Sequence, residues 1–320
     1  MPTLKVSDIL YLMKIKTMNK KVIKYFSKFD LSDAKNKTIL ITGGNSGIGL
    51  FSATYAAYLG MNVIIACRNK SKGQEAIKNI KEEVPTANIR LMMLDQSEEA
   101  SIKEFVNTIV TEKIDIDVFY HNAGVYRLPY QLKEGKELIV STNYFGPHIL
   151  TSLLLPYLKS LNHDVKMIIT SSIAANWASN DVAMLTPDEK VKKMTRYANS
   201  KMLDAYLFKH LYDNEHSNVK YYLVHPGVTW TGLFRKTYKN KFFLLLVRGF
   251  MKLFCNPTWK SALSFIRVIA KDNKEGSFYG PTHLFKARGY PKENTFLNKR
   301  YKCTSKIIEK SKEITDYKLF

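Results

Sequence analysis

From residue 38 onward, short apolar runs alternate with longer segments in which apolar residues recur at helical spacing. Apolar runs of this length, bounded by turn residues, are typical of strands buried on both faces of a parallel sheet. The pattern predicts strands at 38–42, 62–67, 89–94, 116–121, 166–171 and 219–225. It predicts helices at 47–59, 70–83, 98–111, 136–160 and 197–213. This alternation predicts a single doubly wound α/β domain with a parallel sheet between layers of helices.

The first 36 residues have a different pattern, in which apolar residues alternate with lysines. This pattern predicts one or two basic amphipathic helices. The chain has no run of about 18 apolar residues, which argues against a membrane-spanning helix. Two interpretations remain open: an anchor in a membrane interface, or a helix packed on the core of the domain.

The first predicted strand leads into a glycine-rich loop, and residues 37–49 read KTILITGGNSGIG. A helix start offers unpaired N–H groups and a positive dipole end, and glycines let a pyrophosphate approach the backbone. The spacing differs from the G-x-G-x-x-G fingerprint, so an ordinary glycine-rich loop remains an alternative. We predict a dinucleotide-phosphate site formed by Gly43, Asn45, Ser46, Gly47, Ile48 and Gly49.

The end of the second predicted strand bears on the choice of cofactor. Enzymes selective for NAD place an acidic residue there to bind the ribose 2′-hydroxyl. This chain has Arg68 instead, followed by Lys72. Because a guanidinium matches a phosphate in a bidentate fork, the sequence favours NADP(H) over NAD(H). The alternative is that Arg68 is a charge facing solvent.

Tyr197 and Lys201 are four residues apart in a predicted helix, which places both side chains on one face. A tyrosine with a pKa near about 10 is a poor base at neutral pH. A neighbouring ammonium stabilises the phenolate and lowers that pKa, so the pair can serve in acid–base catalysis. The preceding strand ends in two hydroxyl residues, Ser171 and Ser172.

These motifs follow one another in a recognisable order: TGGNSGIG, HNAG at 121–124, Asn143, the serine pair, Y-x-x-x-K and HPG at 225–227. In this order, over roughly residues 36–285, the chain resembles the short-chain dehydrogenase/reductase family and its retinol dehydrogenase-like subgroup. The resemblance implies a Rossmann-type fold. It also implies that Tyr197 exchanges a proton with the substrate oxygen, that Lys201 holds the nicotinamide ribose, and that Ser172 hydrogen-bonds the substrate. Asn143 would support a water relay behind Lys201.

The resemblance also implies further cofactor contacts. Asp95, with its neighbour Gln96, matches the position that contacts the adenine. The HNAG segment would line the adenosine side of the cofactor through Asn122, Ala123 and Gly124. The loop after the sixth strand would contact the carboxamide side of the nicotinamide through Pro226, Gly227 and Thr231. His121 is given no catalytic role, because a histidine at a sheet end is more often a satisfied structural residue.

The gap from Ser172 to Tyr197 is longer than is typical of the family and is similar to that in its retinol dehydrogenase and protochlorophyllide reductase branches. Ser171 therefore remains an alternative to Ser172 as the functional hydroxyl. The inserted stretch, with Trp177, Met184 and Leu185, is expected beside the mouth of the substrate site.

Three regions follow from these assignments: a basic amphipathic extension at 1–36, a Rossmann-type NADP-binding catalytic domain at 37–290, and a basic C-terminal tail at 291–320. Within the domain, residues 232–255 include the apolar segment FFLLLVRGFMKLFC. By resemblance this segment covers the substrate, which favours a lipophilic alcohol or carbonyl of retinoid, steroid or lipid-aldehyde type. A second use for the segment is contact with a membrane face.

The composition limits the classes of binding partner that we expect for this chain. The 320-residue chain has 45% hydrophobic residues and a formal net charge of +21. No basic stripe interleaved with stacking aromatic residues occurs, so we expect no nucleic acid partner. The charge then reflects contact with an anionic membrane surface or a solvated lysine-rich face. Three widely spaced cysteines predict neither a disulfide framework nor a metal site.

A reducing compartment fits these cysteines best, so we expect a cytoplasmic location, with peripheral contact to a cytosolic membrane face left open. Family members often pair through the helices that carry Asn143 and Tyr197. A homodimer is therefore one option, which the basic tail could block. A non-catalytic NADP-binding regulatory protein or a peripheral membrane protein remains the alternative function.

Overall fold

The computed structural model of the chain describes residues 20–229, 255–283, 286–294 and 303–319. Thr231, residues 1–19 of the N-terminal extension and nearly all of the segment 232–255 lie outside these residues. Statements below about the fold and the site refer to the described residues.

Within the described residues, one sheet of eight strands forms the centre of the molecule, in the order β3-β2-β1-β4-β7-β8-β9-β10. Neighbouring strands pair in parallel, except that the edge strand β10 runs antiparallel to β9. The strands are β1 Thr38–Thr42, β2 Asn62–Cys67, β3 Ile89–Met93, β4 Val118–His121, β7 Val165–Thr170, β8 Val219–Val224, β9 Phe278–His283 and β10 Arg288–Asn294. A separate hairpin is formed by β5 Leu132–Lys133 and β6 Lys136–Glu137. The strand order reverses between β1 and β4, where ligands of such sheets bind.

Helices cover both faces of the sheet. The helices are α1 Lys20–Phe26, α2 Gly47–Tyr58, α3 Lys70–Glu83, α4 Glu99–Thr111, α5 Leu138–Ser160, α6 Lys193–Asn214, α7 Thr258–Ser261, α8 Leu263–Ile269 and α9 Thr304–Thr315. Successive strand residues point to opposite faces. Leu40 thus belongs to the core under α4, α5, α6 and α9, whereas Ile39 and Ile41 belong to the core under α1, α2, α3 and α8.

The predicted fold class is confirmed, with three differences in detail. Helix α6, which contains Tyr197, begins at Lys193 rather than at residue 197. The helix predicted from residue 136 begins at Leu138, because the hairpin occupies the residues before it. The strands β9 and β10 were not predicted, and β10 runs through residue 290, where the sequence placed the end of the domain.

Helix α1 uses its apolar face in the core. Val22, Ile23, Tyr25 and Phe26 are buried, and the Tyr25 hydroxyl donates to the carbonyl of Pro291 at 3.2 Å. Of the two interpretations of the N-terminal extension, packing on the domain therefore holds for Lys20–Phe26.

Helix α5 is long and apolar enough to cross a membrane by length and composition, the one such helix among the described residues. However, 83% of its most apolar 18-residue window is buried inside the fold, as in the core helices of soluble proteins. It therefore gives only weak support for a membrane span.

Candidate active site

The predicted catalytic pair lies in α6, at the carboxyl ends of β4 and β7. Tyr197 is half-buried, and its ring meets the edge of the Tyr126 ring at a centroid distance of 4.7 Å. Lys201 is buried, and its Nζ donates to the carbonyl of Thr170 at 3.0 Å. Nζ also donates to Oδ2 of Asp204 at 2.8 Å. The lysine is therefore held in place within the fold.

The contact with Asp204 was missed at the sequence level. Burial raises the pKa of the Asp204 carboxyl to about 7, against the opposing effect of the Lys201 ammonium. Burial by itself lowers the pKa of Lys201, but the Asp204 carboxylate and Tyr197 raise it above its usual value. The sequence did contain one indication of this contact, because Asp204 follows Lys201 by about one helical turn and so lies on the same face.

Asn143 lies in a π-helical turn of α5, Ser141–Phe145. Its side chain joins two parts of the site. Oδ1 accepts from the amide of Val125 at 2.7 Å, and Nδ2 donates to the Val125 carbonyl at 3.0 Å and to Oγ of Ser200 at 2.9 Å. A Cβ added at Gly124 would lie 3.3 Å from Oδ1 of Asn143 and 3.6 Å from Nζ of Lys201. Asn143, Gly124 and Lys201 therefore lie together.

The two serines differ in what their hydroxyls do. Ser171 is buried, and its hydroxyl donates to the backbone carbonyl of Lys201 at 2.7 Å. Ser172 is half-buried, and its Oγ accepts from the amide of Ala174 at 3.2 Å. An accepting hydroxyl retains its proton for another partner. This geometry favours Ser172 as the hydroxyl available to a ligand.

A second buried ion pair lies next to Tyr197 in the chain and was not predicted. Arg196 and Glu137 have side chains only 2% and 1% exposed, and Nη1 lies 3.1 Å from Oε1. Oε2 of Glu137 accepts from the first amides of α5, those of Ile139 and Val140. Nη2 of Arg196 donates to the carbonyl of Leu128 at 3.0 Å. The pair therefore links α6, the start of α5 and the loop between β4 and β5.

The glycine-rich loop packs too closely for side chains at two positions. Gly43 has a φ of +65°, and a Cβ there would lie 3.0 Å from Cα of Ala123. A Cβ at Gly49 would lie 2.4 Å from the Gly43 carbonyl oxygen and 2.5 Å from Nδ2 of Asn122. Ser46 precedes α2 without capping it through its side chain. The remaining predicted loop residues, Asn45, Gly47 and Ile48, are half-buried and surround the start of this helix.

Asn122 and Ala123 tie the loop to the neighbouring strand end. Their amides both donate to Oγ1 of Thr42, at 3.1 and 3.0 Å, and Nδ2 of Asn122 donates to the Thr42 carbonyl at 2.9 Å. His121 is buried, bonded through Nε2 to Thr151 at 3.0 Å, and burial lowers its pKa to about 3. It is therefore a neutral structural residue at working pH.

The carboxyl ends of β2 and β3 carry the residues predicted for the adenosine side. Arg68 is 64% exposed, and its Nη1 lies 4.0 Å from Oδ2 of Asp95. Lys72 is exposed on the first turn of α3. Gln96 is buried, and neither atom of its side-chain amide has a partner among the described residues. This edge of the sheet offers two accessible cations beside a carboxylate and an unpaired amide.

The loop after β8 is held by Asn256. Its Nδ2 lies within hydrogen-bond distance of the carbonyls of Pro226, at 3.4 Å, and Gly289, at 3.2 Å. Gly227 has a φ of +82°, and a Cβ there would lie 2.6 Å from the carbonyl oxygen of Ala287. Thr231, the third residue predicted for this loop, lies outside the described residues.

The inserted stretch before α6 only partly matches the expectation for it. Trp177 is 62% exposed. Met184 and Leu185, by contrast, are buried in the core under α6, so they do not line the mouth of the site. Apolar residues in a predicted loop were misread because the sequence does not show which loops fold back onto the core.

Taken together, the residues fit a nicotinamide dinucleotide. The glycine loop has no side chains at Gly43 and Gly49 beside the start of α2, and the accessible cations lie at the end of β2. Lys201 and Tyr197 lie at the carboxyl ends of β4 and β7, next to the switch point between β1 and β4. Among the described residues, no group of three or more His, Cys, Asp or Glu side chains is placed to hold a metal ion.

Comparison with known families matches residues 37–241 to the family described as short chain dehydrogenase. Retinol dehydrogenase 13 of Mus musculus is 33% identical over 251 residues, which cover 76% of this chain and 75% of that protein. Polyprenol dehydrogenase of Homo sapiens is 32% identical over 210 residues, covering 63% of this chain and 64% of that protein. Short-chain dehydrogenase TIC 32 A, chloroplastic, of Brassica napus is 28% identical, with coverage of 87% and 90%.

Solved structures show the same fold. An uncharacterised protein from Mycobacterium paratuberculosis superposes with a TM-score of 0.69 at 23% identity, covering 89% of this chain and 96% of that one. A protein described as a short chain dehydrogenase from Escherichia coli CFT073, in complex with NADPH, gives a TM-score of 0.53 at 21% identity, with coverage of 66% and 85%.

Proposed function

We propose that this chain, which belongs to the short-chain dehydrogenase/reductase family of oxidoreductases acting on CH–OH donors, interconverts a lipophilic alcohol and its carbonyl with NADP(H). The observation that carries the proposal is the shared face of Tyr197 and Lys201 in α6, beside Asn143 and Ser172. When bound, the nicotinamide supplies or accepts the hydride. The protein's own residues bind, orient and move the proton.

Tyr197 is the proposed acid–base group. Its phenol gives a proton to the substrate oxygen in reduction and takes it in oxidation. The Lys201 ammonium, on the same helical face, stabilises the phenolate. Ser172 has its hydroxyl proton available and is proposed to donate it to the same substrate oxygen. The side chain of Asn143 is hydrogen-bonded to the backbone amide and carbonyl of Val125. We propose that Asn143 thereby holds the loop that contains Gly124 in position beside Lys201.

We propose NADP(H) as the cofactor because the end of β2 presents accessible Arg68 and, one turn into α3, Lys72. A 2′-phosphate would gain two charge-assisted partners there. Asp95 is 22% exposed, and Oδ1 accepts from the amide and hydroxyl of Ser97, so this carboxylate is already partly engaged. That arrangement leaves the guanidinium as the dominant charge facing an incoming phosphate.

The proposed substrate is an apolar alcohol, aldehyde or ketone of retinoid, steroid or lipid type. Its support is the apolar composition of residues 242–255 and the similarity to retinol and polyprenol dehydrogenases. The Tyr126 ring beside Tyr197 provides aromatic surface near the proposed reaction centre. Aromatic surface of this kind binds apolar ligands well.

We propose a cytoplasmic location because the three free cysteines fit a reducing compartment. We propose peripheral contact to a membrane on charge grounds. The outward face of α1 and the turn after it carry exposed Lys20, Lys21, Lys24 and Lys28, while the apolar face is used in the core. Contact through this surface is electrostatic and does not require insertion. Replacing the four lysines with glutamine should abolish flotation with phosphatidylserine vesicles at low salt, and undiminished flotation would reject this surface.

The packing of α9 bears on the option of a homodimer. Ile307 and Ile308 are buried in the core under α5 and α6, and Ser311 Oγ bonds the Tyr144 hydroxyl of α5 at 2.7 Å. This helix covers part of the surface through which family members pair. We therefore propose that pairing through α5 and α6 is blocked, which sedimentation of the purified protein as a monomer would support and a dimer would contradict.

The test of the proposed function is cofactor-dependent turnover with a panel of lipophilic alcohols and carbonyls. Reactions are run with NADP(H) and with NAD(H) at equal concentrations, and cofactor absorbance is followed. We expect faster turnover with NADP(H) and with apolar long-chain or polycyclic substrates than with short polar alcohols. Absence of turnover with both cofactors across the panel would reject an active dehydrogenase.

A further inference from the structure

Helix α6 carries three ionisable groups on one face, at spacings of four and three residues: Tyr197, Lys201 and Asp204. The side chains of Lys201 and Asp204 are only 6% and 3% exposed. Oδ2 of Asp204 lies 2.8 Å from Nζ of Lys201, a distance typical of a charge-assisted hydrogen bond. Asp204 lies seven positions after Tyr197 in the helix, which corresponds to a rise of roughly 10 Å along the helix axis.

The bonding of Nζ restricts what Lys201 can do. An ammonium has three donors. The Thr170 carbonyl and the Asp204 carboxylate accept two of these, at 3.0 and 2.8 Å. One donor remains for a bound ligand or for water. The carboxylate therefore fixes both the position and the direction of the group that the proposed mechanism uses.

Among the residues that the structure describes, the titratable groups facing this pair from β4 and α5 carry no charge at working pH. From β4, His121 is neutral because burial lowers its pKa to about 3. From α5, the pKa of Tyr144 is raised by burial, and its hydroxyl bonds Ser311 of α9. From β7, Thr170 contributes only its backbone carbonyl. Among the described residues around the pair, Tyr197 is thus the other group able to respond to the balance between Lys201 and Asp204.

We propose that Asp204 is a positioning residue that anchors the Lys201 ammonium and offsets its charge, so that Tyr197 experiences a weaker positive field than an unpaired lysine would produce. The inference rests on the proposed function, since it concerns the same acid–base group. It adds a member that neither the sequence motifs nor the resemblance assigned.

Substitution Asp204→Asn separates charge from shape, because asparagine keeps the size and one acceptor for Nζ. Above about pH 7, where the Asp204 carboxyl is ionised, loss of its negative charge stabilises the phenolate of Tyr197 and destabilises the ammonium of Lys201. Both effects lower a pKa. The acidic and alkaline limbs of the kcat/KM profile for alcohol oxidation should therefore both move to lower pH, by about one pH unit at the tyrosine limb.

The experiment compares pH profiles of the wild type, Asp204→Asn and the control Asp213→Asn. Asp213 lies on the same helix, exposed and paired with Lys209, so its loss should move neither limb. A lower rate at every pH with unmoved limbs in Asp204→Asn would mean a merely structural role and would overturn the inference. Asp204→Ser provides a second removal of charge should the asparagine variant fail to fold.

A second measurement does not depend on turnover. The Tyr197 phenol is titrated by NMR in cofactor-free protein labelled at tyrosine Cζ, with Tyr197→Phe used to assign its signal. We expect the midpoint to fall in the charge-removing variant and to remain in Asp213→Asn. An unchanged midpoint overturns the role of Asp204. A shifted midpoint in a protein without any turnover would support that role and reject the proposed function instead.

Discussion

The two halves of the candidate site handle positive charge in opposite ways. At the ends of β2 and β3, Arg68 is 64% exposed and lies 4.0 Å from Asp95. At the ends of β4 and β7, Lys201 and Arg196 are buried, and each has its own carboxylate at 2.8 and 3.1 Å. The first half keeps its cations accessible to a ligand. The second half builds its cations into the core.

This difference predicts different consequences of mutation. Exposed ion pairs contribute little to stability, so a change in the first half should alter ligand binding alone. Removing one member of a buried pair leaves an uncompensated buried charge and is strongly destabilising. Mutations in the second half should therefore change stability and activity together, unless they spare the ion pairs.

Arg196→Ala should lower the free energy of unfolding by about 3 kcal/mol, because Glu137 would be left buried without its partner. Urea denaturation measures the change. The matched control is Arg90→Ala, which removes an exposed partner of Glu112 and should cost less than about 1 kcal/mol. Equal costs for the two variants would contradict the distinction between the halves.

Ser172→Ala should lower kcat about 100-fold, the typical effect of removing a donor to a reacting oxygen, while stability stays near that of the wild type. Ser171→Ala should instead lower stability while leaving kcat nearly unchanged. Its buried hydroxyl bonds the Lys201 carbonyl, and losing that bond should cost about 1 kcal/mol of stability. Finding the larger loss of activity in Ser171→Ala would reverse the assignment of the two hydroxyls.

His121 should make the protein less stable in acid. Its pKa in the folded protein, about 3, lies below the unfolded value near about 6.5, so its contribution is present above pH 6.5 and is lost as pH falls toward 3. As the pH falls from 8 to 4.5, the unfolding free energy of His121→Asn should rise by about 3 kcal/mol relative to that of the wild type.

His163→Asn serves as the control of opposite sign. Partial burial lowers the pKa of His163, but the Asp115 carboxylate overcomes this and raises it. A raised pKa contributes stability below the unfolded value, so this variant should lose stability relative to wild type in acid. If both histidine variants respond to pH in the same direction, the account of His121 fails.

Arg68→Ala should weaken NADPH binding about tenfold and leave NADH binding and the free energy of unfolding nearly unchanged. Fluorescence titration of each cofactor measures the effect. The control is Arg90→Ala, which removes an exposed arginine at the amino end of β3, away from the carboxyl ends that carry the site. Equal weakening of both cofactors by Arg68→Ala would mean that the guanidinium does not read the 2′-phosphate.

The sequence was sufficient for the strands and helices of the central sheet, because buried parallel strands are continuous apolar runs and the helices between them are periodic. It also placed Ser172 directly after a predicted strand, and Asn143, Tyr197 and Lys201 in predicted helices. The edge of the sheet formed by β9 and β10 was harder to predict from the sequence. Strand β10 contains Pro291 and charged residues, and it owes its place to pairing with β9 rather than to an apolar pattern.

The ion pairs could not be predicted for a different reason. Glu137 and Arg196 are 59 positions apart, and nothing local in the sequence shows that a glutamate capping one helix meets an arginine in another. The spacing of Asp204 from Lys201 indicated that the two side chains are close, but the sequence did not show that Asp204 is buried. Helix α9 reads as lysine-rich because its outer face is charged, while Ile307, Ile308 and Ser311 on its inner face are buried. Tertiary burial decides these cases.

The central claim concerns the phenol of residue 197, and Tyr197→Phe tests it most directly. Cofactor-dependent kcat should fall at least about 100-fold, while NADPH affinity and the free energy of unfolding remain near wild-type values, because the ring and its contact with Tyr126 are retained. A variant that keeps more than about half of the wild-type kcat, with the same pH profile, would contradict the assignment of Tyr197 as the acid–base group.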